Sequence, residues 1–222
     1  MKPLETSNML NLSRRSKSFA PALRPVKIAT LFATLAIALA MPVAAAAAPA
    51  DPVTFVKVAA QDAIGILNNT QLAGEDRKSR FRAVILKHFD APAVGQYVLG
   101  GYWAKASPDQ QSRFQNVFKE ALAQIYIERF FDYDGHSLQV IGSKTGDAGA
   151  TVVQSTVATP TGGTTYNVDW VVLQAGGALS LIDVVIDGVS TMSTTKQDYA
   201  SVLRSTNGNL DSLTNRLAEK VH

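Results

Sequence analysis

The fold of this chain is decided by the stretch Thr164–Ile186, which reads TTYNVDWVVLQAGGALSLIDVVI. In its first half, apolar and polar residues alternate, which predicts a half-buried strand over Thr164–Gln174. The Gly176-Gly177 pair predicts a tight hairpin turn. The second half, Ala178–Ile186, predicts another strand, whose central segment is apolar on both faces except at Asp183. The residues expected to share the buried face of the first strand are Tyr166, Val168, Trp170 and Val172.

Upstream of this hairpin the same period of two continues. Ser137–Ile141 and Ala150–Thr159 predict two more strands, and Pro160–Gly163 predicts the turn that leads into the hairpin. Strands that follow one another through short turns form an antiparallel meander. Helical patterns precede and follow the meander, so we expect an α+β domain with one four-stranded antiparallel sheet and about six helices packed on one side of it.

The helix starts carry capping signals. Ser107-Pro108 with Gln110 has the spacing of a capping box and predicts the start of a long fourth helix. The glycines before it, Gly100-Gly101, lack the spacing and the Lys-Ser/Thr of a phosphate-binding loop, so we expect a corner between two helices. The six helices are expected to begin at Asp51-Pro52, Gly74, Asp90, Ser107, Ser190 and Leu210.

Residues 1–50 predict a secretory signal peptide. The first 27 residues carry six Lys and Arg against one acid, and the next 13 are uncharged and apolar. We expect cleavage after Ala47 or Ala50, which leaves residues 51–222 as one domain. Three alternatives stay open: an uncleaved N-terminal anchor, twin-arginine export through Arg14-Arg15, and a start at Met9.

The net charge changes once this leader is set aside. Residues 51–222 hold 15 Lys and Arg against 17 Asp and Glu, a net charge of −2. A nucleic-acid-binding domain needs a basic face, so this class is disfavoured and no nucleic-acid partner is expected. The chain has no cysteine, which excludes disulfides and thiolate metal sites. An exported domain without disulfides is typical of a bacterial periplasm.

Catalytic and metal-binding signals are weak. His88 is interpreted as a helix-terminal cation, and Ser190 as a helix N-cap rather than a nucleophile. The run Asp132–His136 lacks the further oxygen ligands of a calcium loop. An enzyme would need Asp169 or Asp183 beside His88 or His136. We therefore expect no catalytic residue, no metal and no cofactor.

The aromatic content of the predicted helix–sheet interface is high. A filled core and an apolar pocket would use the same residue types, and periodicity does not separate them. The aromatic residues concerned are Tyr97, Tyr102, Trp103, Phe114, Phe118, Tyr126, Phe130, Phe131, Tyr166 and Trp170.

Several short motifs occur in an order that resembles a known family. They are Phe89-Asp90, Gly100-x-Tyr102-Trp103, Ala106-Ser107-Pro108-x-Gln110-Gln111-x-x-Phe114, Asp183-Val184-Val185-x-Asp187-Gly188-Val189-Ser190 and Asp198-Tyr199-Ala200-x-Val202-Leu203-Arg204. Over roughly residues 51–220 the chain is similar to the MlaC family of periplasmic phospholipid shuttles, also described as toluene-tolerance auxiliary transport proteins. It also resembles hopanoid-associated members of that superfamily. Gly101 departs from the pattern, since many relatives carry a charged residue there.

The resemblance implies a soluble periplasmic carrier that hides acyl chains in an apolar cavity between the sheet and the helices. Its ligand would be a phospholipid or another polar lipid. Its partners would be an inner-membrane ABC transporter with an MCE-domain protein and an outer-membrane lipoprotein complex. We expect a monomer. The residues expected to line the cavity are Tyr97, Phe118, Tyr126, Tyr166, Trp170, Ile182 and Val184.

Two other functions remain as alternatives. A non-catalytic docking subunit of an ABC system would have a filled core and no cavity larger than a few waters. An enzyme acting on a small apolar substrate would place an acid–base pair inside a pocket.

Overall fold

The computed structural model describes residues 51–131, 137–158 and 164–221. The predicted signal peptide, the run Asp132–His136, the turn Pro160–Gly163 and His222 lie outside the described residues. Within those three ranges, no helix combines the length and the apolar character needed to span a bilayer.

The sheet is an antiparallel meander in which each strand pairs with its neighbour in the chain. This confirms the predicted topology, but the described residues form five strands where four were predicted. The fifth is short and follows a turn in which Asp187 and Gly188 adopt φ of 46° and 83°. Such a turn folds two residues back on the preceding strand. The strands are β1 Ser137–Thr145, β2 Thr151–Ala158, β3 Thr165–Ala175, β4 Ala178–Ile186 and β5 Val189–Ser190.

Strand β4 contains a bulge at Ile182. Across the β3–β4 ladder, Val171 pairs with Asp183 while Val172 pairs with Leu181. Ile182 is therefore the extra residue, and the alternation of side chains along β4 changes phase at this point. A second irregularity in β1 leaves Ile141 unpaired and 66% exposed.

The described residues form six α-helices beside the meander, which agrees with the predicted number. The long helix is central, because it contacts the second, third and sixth helices. Its start has the predicted capping box: the Ser107 hydroxyl accepts from the Gln110 N–H, and the Gln110 side chain accepts from the Ser107 N–H. The helices are α1 Pro52–Leu67, α2 Gly74–His88, α3 Ala91–Leu99, α4 Pro108–Phe130, α5 Thr191–Ser205 and α6 Leu210–Lys220.

The Gly100-Gly101 segment forms the predicted corner between α3 and α4. Gly100 has φ of 53°, which a residue with a side chain rarely adopts, and a 3₁₀ turn over Gly100–Lys105 completes the corner. Trp103 in this turn is half-buried against the core, and its carbonyl accepts a 3.0 Å hydrogen bond from the Gln111 side chain. The tryptophan therefore holds the corner against α4.

The main core is built around α4, which packs against α2, α3 and α6. Phe114, Phe118, Leu122 and Tyr126 are each no more than 1% exposed along one side of α4. The junction between α2 and α3 is tied to the sheet by a 3.0 Å hydrogen bond from the Asp90 N–H to the Leu181 carbonyl. This bond covers part of the outer edge of β4.

Candidate functional site

An apolar cavity of about 150 Å³ lies between the helices and the inner face of the sheet. Three helices and four strands supply its walls, and its lining contains one ionisable imidazole, that of His88. The helical lining residues are Ala59, Ala60, Ala63, Ile64, Leu67, Phe81, Val84, Ile85, His88, Tyr126 and Phe130, together with Phe89 directly after α2. The strand residues are Leu138, Val157, Tyr166, Val168, Trp170, Leu181, Val184 and Ile186.

Small side chains on α1 leave room for this cavity. Ala59, Ala60 and Ala63 lie on the face of α1 that looks toward the sheet, at helical spacing with Ile64 and Leu67. An alanine ends at Cβ, so it cannot reach the opposite wall as leucine or phenylalanine would. The alanine face of α1 therefore leaves the space between the helix and the sheet unfilled.

The bulge in β4 determines which of its side chains line the cavity. Leu181, Val184 and Ile186 line the cavity, and Ile182 does not. In a regular strand, residues 182, 184 and 186 would share a face. The bulge at Ile182 moves Leu181 onto the inner face in its place, beside Val172 of β3.

Four of the seven residues expected from sequence come together in the lining: Tyr126, Tyr166, Trp170 and Val184. The Trp170 indole N–H donates a 2.9 Å hydrogen bond to Ser155 Oγ, and Ser155 Oγ donates to the Val168 carbonyl at 2.9 Å. The polar atom of the indole is therefore satisfied within the sheet, and the ring presents apolar surface to the cavity.

The Tyr126 hydroxyl is buried at the inner end of α4. Burial, and then the neighbouring Asp183 carboxylate, raise the pKa of Tyr126 well above its ordinary value. The phenol therefore remains neutral, which suits a residue on an apolar wall.

The other three expected residues lie elsewhere. Phe118 is fully buried between helices, stacked on Phe114 at 5.3 Å between ring centroids. Tyr97 is 47% exposed on α3, with the Lys196 ammonium 4.3 Å from its ring centroid. Ile182 occupies the bulge. The assignment of all seven residues to lipid binding stays a prediction.

His88 and Asp62 form a pair that sequence reasoning missed. His88 is 6% exposed, and its Nε2 lies 2.9 Å from Asp62 Oδ2 on α1. The Lys87 ammonium lies 2.8 Å from the same oxygen, and hydrogen bonds from Lys87 and then His88 lower the pKa of Asp62. Because an ionised carboxylate only accepts hydrogen bonds, Nε2 carries the proton. No motif in the sequence marked this pair, because its two members lie on different helices and are 26 residues apart.

The acid–base pairs considered for an enzyme are not formed with His88. Asp169 Oδ2 lies 3.8 Å from the Lys144 ammonium. Asp183 accepts hydrogen bonds from the Ser190 hydroxyl and from the Val184 and Met192 N–H groups, although burial raises its pKa. Neither carboxylate hydrogen-bonds to His88, and His136 lies outside the described residues. Within the described ranges, no cluster of three or more potential metal ligands occurs.

The sequence is similar to those of known proteins. Residues 57–219 match the family model described as MlaC protein. The toluene tolerance protein ttg2D of Pseudomonas putida is 26% identical over 123 residues, which cover 55% of this chain and 57% of that protein. The match therefore spans little more than half of the length of that relative.

A solved structure has a similar fold. It is a phospholipid-binding protein from Ralstonia solanacearum in complex with a phospholipid, and it superposes with a TM-score of 0.65 at 23% sequence identity. The superposition covers 78% of this chain and 97% of that one. At this identity the likeness concerns the fold.

Proposed function

The chain belongs to the MlaC family, and from that premise we propose that it is a periplasmic lipid carrier whose ligand is a phospholipid or a related polar lipid. The observation that carries the proposal is the apolar cavity of about 150 Å³ between α1, α2, α4 and the sheet. A domain with a filled core leaves few voids larger than one water. The cavity therefore favours a carrier over a docking subunit with a filled core.

The lining of the cavity suits acyl chains rather than a polar ligand. Its walls are hydrocarbon and aromatic, and the one imidazole among them, that of His88, is already paired with Asp62. Pockets that bury drug-sized ligands usually measure about 300–1,000 Å³. A lipid with two full chains therefore requires the walls to move apart as the ligand enters.

The energetics of burial favour handover between proteins over free release into water. A buried methylene contributes about 0.8 kcal/mol, so a 16-carbon chain represents roughly 12 kcal/mol. Two chains would exceed the practical limit of about 18–21 kcal/mol for binding from water. A carrier that receives lipid by docking exchanges one apolar environment for another, with a small net free energy.

The wider assignment follows from the same premise. We infer export through the N-terminal signal peptide over residues 1–50, leaving a monomeric mature domain over 51–222. The expected partners are an inner-membrane ABC transporter with an MCE-domain protein and an outer-membrane lipoprotein complex. A net charge of −2 on residues 51–222 suits a shuttle, because it gives no electrostatic adhesion to anionic membranes.

The proposal is tested by the lipid content of the protein purified from the periplasm of the producing cells. Native mass spectrometry and solvent extraction should find a phospholipid or another polar lipid bound in a fixed ratio. Ala63→Phe, which places a ring in the cavity, should lower the occupancy, while Ala104→Phe on the exposed 3₁₀ turn should not. A reproducibly lipid-free protein that takes up no lipid from vesicles would overturn the proposal.

A further inference from the structure

A second depression borders the cavity between α1 and β1. This groove, with a volume of about 560 Å³, is lined by Lys57, Gln61, Ile64, Gly65, Ser137, Leu138 and Val140. Ile64 and Leu138 line the groove and the apolar cavity alike. These two side chains are therefore a thin partition between the cavity and the surface.

The groove changes from apolar to polar as it leaves this partition. Lys57, Gln61 and Gly65 are exposed and follow one another at four-residue spacing, so they form one row along α1. Ser137 adds a hydroxyl from the start of β1. An amphiphilic ligand with its tails in the cavity would thus find hydrogen-bonding groups at the mouth.

Lys57 supplies a positive charge to this mouth. Among the described residues it makes no salt bridge. Its charge contributes to lowering the pKa of Asp51, the N-cap of α1, after the hydrogen bonds that Asp51 accepts from Thr54. The next acid along the helix, Asp62, is paired with Lys87 and His88. Charge complementarity at the groove therefore favours an anion.

Gly65 lines the groove at a position where a side chain would find free space. A Cβ built at this position would have no atom within 4 Å, so the missing side chain leaves space rather than avoiding a clash. Glycine inside a helix is less favourable than almost any other residue. Its presence here costs helix stability, and the groove has room for a larger side chain at this position.

We propose that the α1–β1 groove is the lipid portal and headgroup site. The acyl chains pass between Ile64 and Leu138 into the cavity, and the phosphodiester stays in the groove with Lys57 as its counter-charge. The inference rests on the proposed function, because it assigns the acyl chains and the headgroup of the proposed lipid to two neighbouring sites.

The portal is tested by closing it. Gly65→Trp fills the groove, and Gly101→Trp is the matched control, because a Cβ at Gly101 also meets no atom within 4 Å and the position is exposed on the 3₁₀ turn. Delipidated proteins are mixed with vesicles of fluorescent phosphatidylglycerol, and the uptake rate is measured. Gly65→Trp should slow uptake by about tenfold or more, equivalent to about 1.4 kcal/mol in the barrier, with an unchanged or higher Tm.

The outcomes separate the portal from the function. If Gly65→Trp takes up lipid as fast as the wild type and Gly101→Trp, the portal lies elsewhere and the inference is overturned, while the carrier function stands. If the wild type takes up no lipid, the proposed function itself fails. If Gly65→Trp lowers the Tm, Gly65→Leu is tested in its place, and its rate of lipid uptake is compared with those of the wild type and Gly101→Trp.

The headgroup assignment has its own test. Lys57→Glu should shift the equilibrium between protein and phosphatidylglycerol vesicles toward the vesicles by about two- to fivefold, the range of an exposed ion pair. Lys119→Glu, an exposed lysine on α4, should leave it unchanged. Equal behaviour of the two variants would exclude Lys57 as the counter-charge. Inorganic phosphate alone should not move the Lys57 amide resonance, and a shift would instead indicate a site for free phosphate.

Discussion

His88 is an ionisable side chain on an otherwise apolar cavity wall. Its position is stabilised by the 2.9 Å contact with Asp62, which joins the end of α2 to the middle of α1. Its ring also packs edge-on against Phe55 at 5.7 Å between centroids. The pair thus links two of the three helices that enclose the cavity, and it leaves the imidazole with one nitrogen committed to a protein partner.

Removal of the Asp62 charge should weaken this link in a pH-dependent way. The pKa of Asp62 is lowered in the folded state, so its stabilising contribution is present above the unfolded pKa and is lost as pH falls through the folded pKa. We expect Asp62→Asn to lower the free energy of unfolding by about 1 kcal/mol at neutral pH. The measurement is urea denaturation across the acid range.

The difference between wild type and Asp62→Asn should shrink once the pH lies well below the usual carboxyl pKa. Lys78→Gln is the control, because its exposed ammonium pairs with Glu75 and does not contact Asp62. A difference that stayed constant with pH would mean that packing, rather than the charge, holds α1 to α2.

At the scale of single elements, the period of the sequence predicted most of this structure. The six helices, the antiparallel meander and the capping box of α4 follow from apolar spacing, turn residues and Ser107-Pro108. These features depend on local preferences, which a sequence displays directly. The fifth strand was missed because a two-residue strand carries no period.

The bulge at Ile182 could not be predicted in the same way. The run Leu181–Ile186 is apolar on both faces, so no polar residue marks where the alternation changes phase. Ile182 and Val184 were expected to line the cavity, whereas the structure places Leu181 and Val184 there. The existence of the cavity could not be predicted either. It depends on the size of the side chains that face the α1 alanines, and the sequence of α1 alone does not show which residues those are.

The start of α4 offers a test of an element that the sequence did predict. Ser107→Ala removes the hydroxyl that accepts from the Gln110 N–H and should lower the free energy of unfolding by about 1 kcal/mol. Ser107→Asp should restore most of the loss, because a carboxylate also caps a helix N-terminus. Chemical denaturation of the three proteins checks both values. If Ser107→Ala matched the wild type, the cap would not contribute to stability.

At the scale of the whole molecule, the proposed ligand should act as part of the core. A ligand that binds the folded state alone at one hundred times its Kd contributes about 2.7 kcal/mol. For a domain of this size that corresponds to a rise in Tm of about 5–10 °C. We therefore expect delipidation to lower Tm by this amount, measured by calorimetry before and after solvent extraction.

The cavity-filling variant provides the control for this measurement. Ala63→Phe should show a smaller change in Tm on delipidation than the wild type, because less lipid is bound to begin with. Identical Tm values for the lipid-bound and delipidated wild type would show that the ligand does not contact the folded core.

The order in which the cavity walls are synthesised has a consequence for folding. Its helical walls come from residues 59–130 and its strand walls from residues 138–186, so α1 meets β1 and β2 only after three further helices along the chain. Pairings over such distances along the chain slow folding. Until β3 and β4 have formed, the cavity-facing side chains of α1 and α4 lack part of the sheet that covers them. The apolar cavity is therefore complete only after the last of these strands has formed.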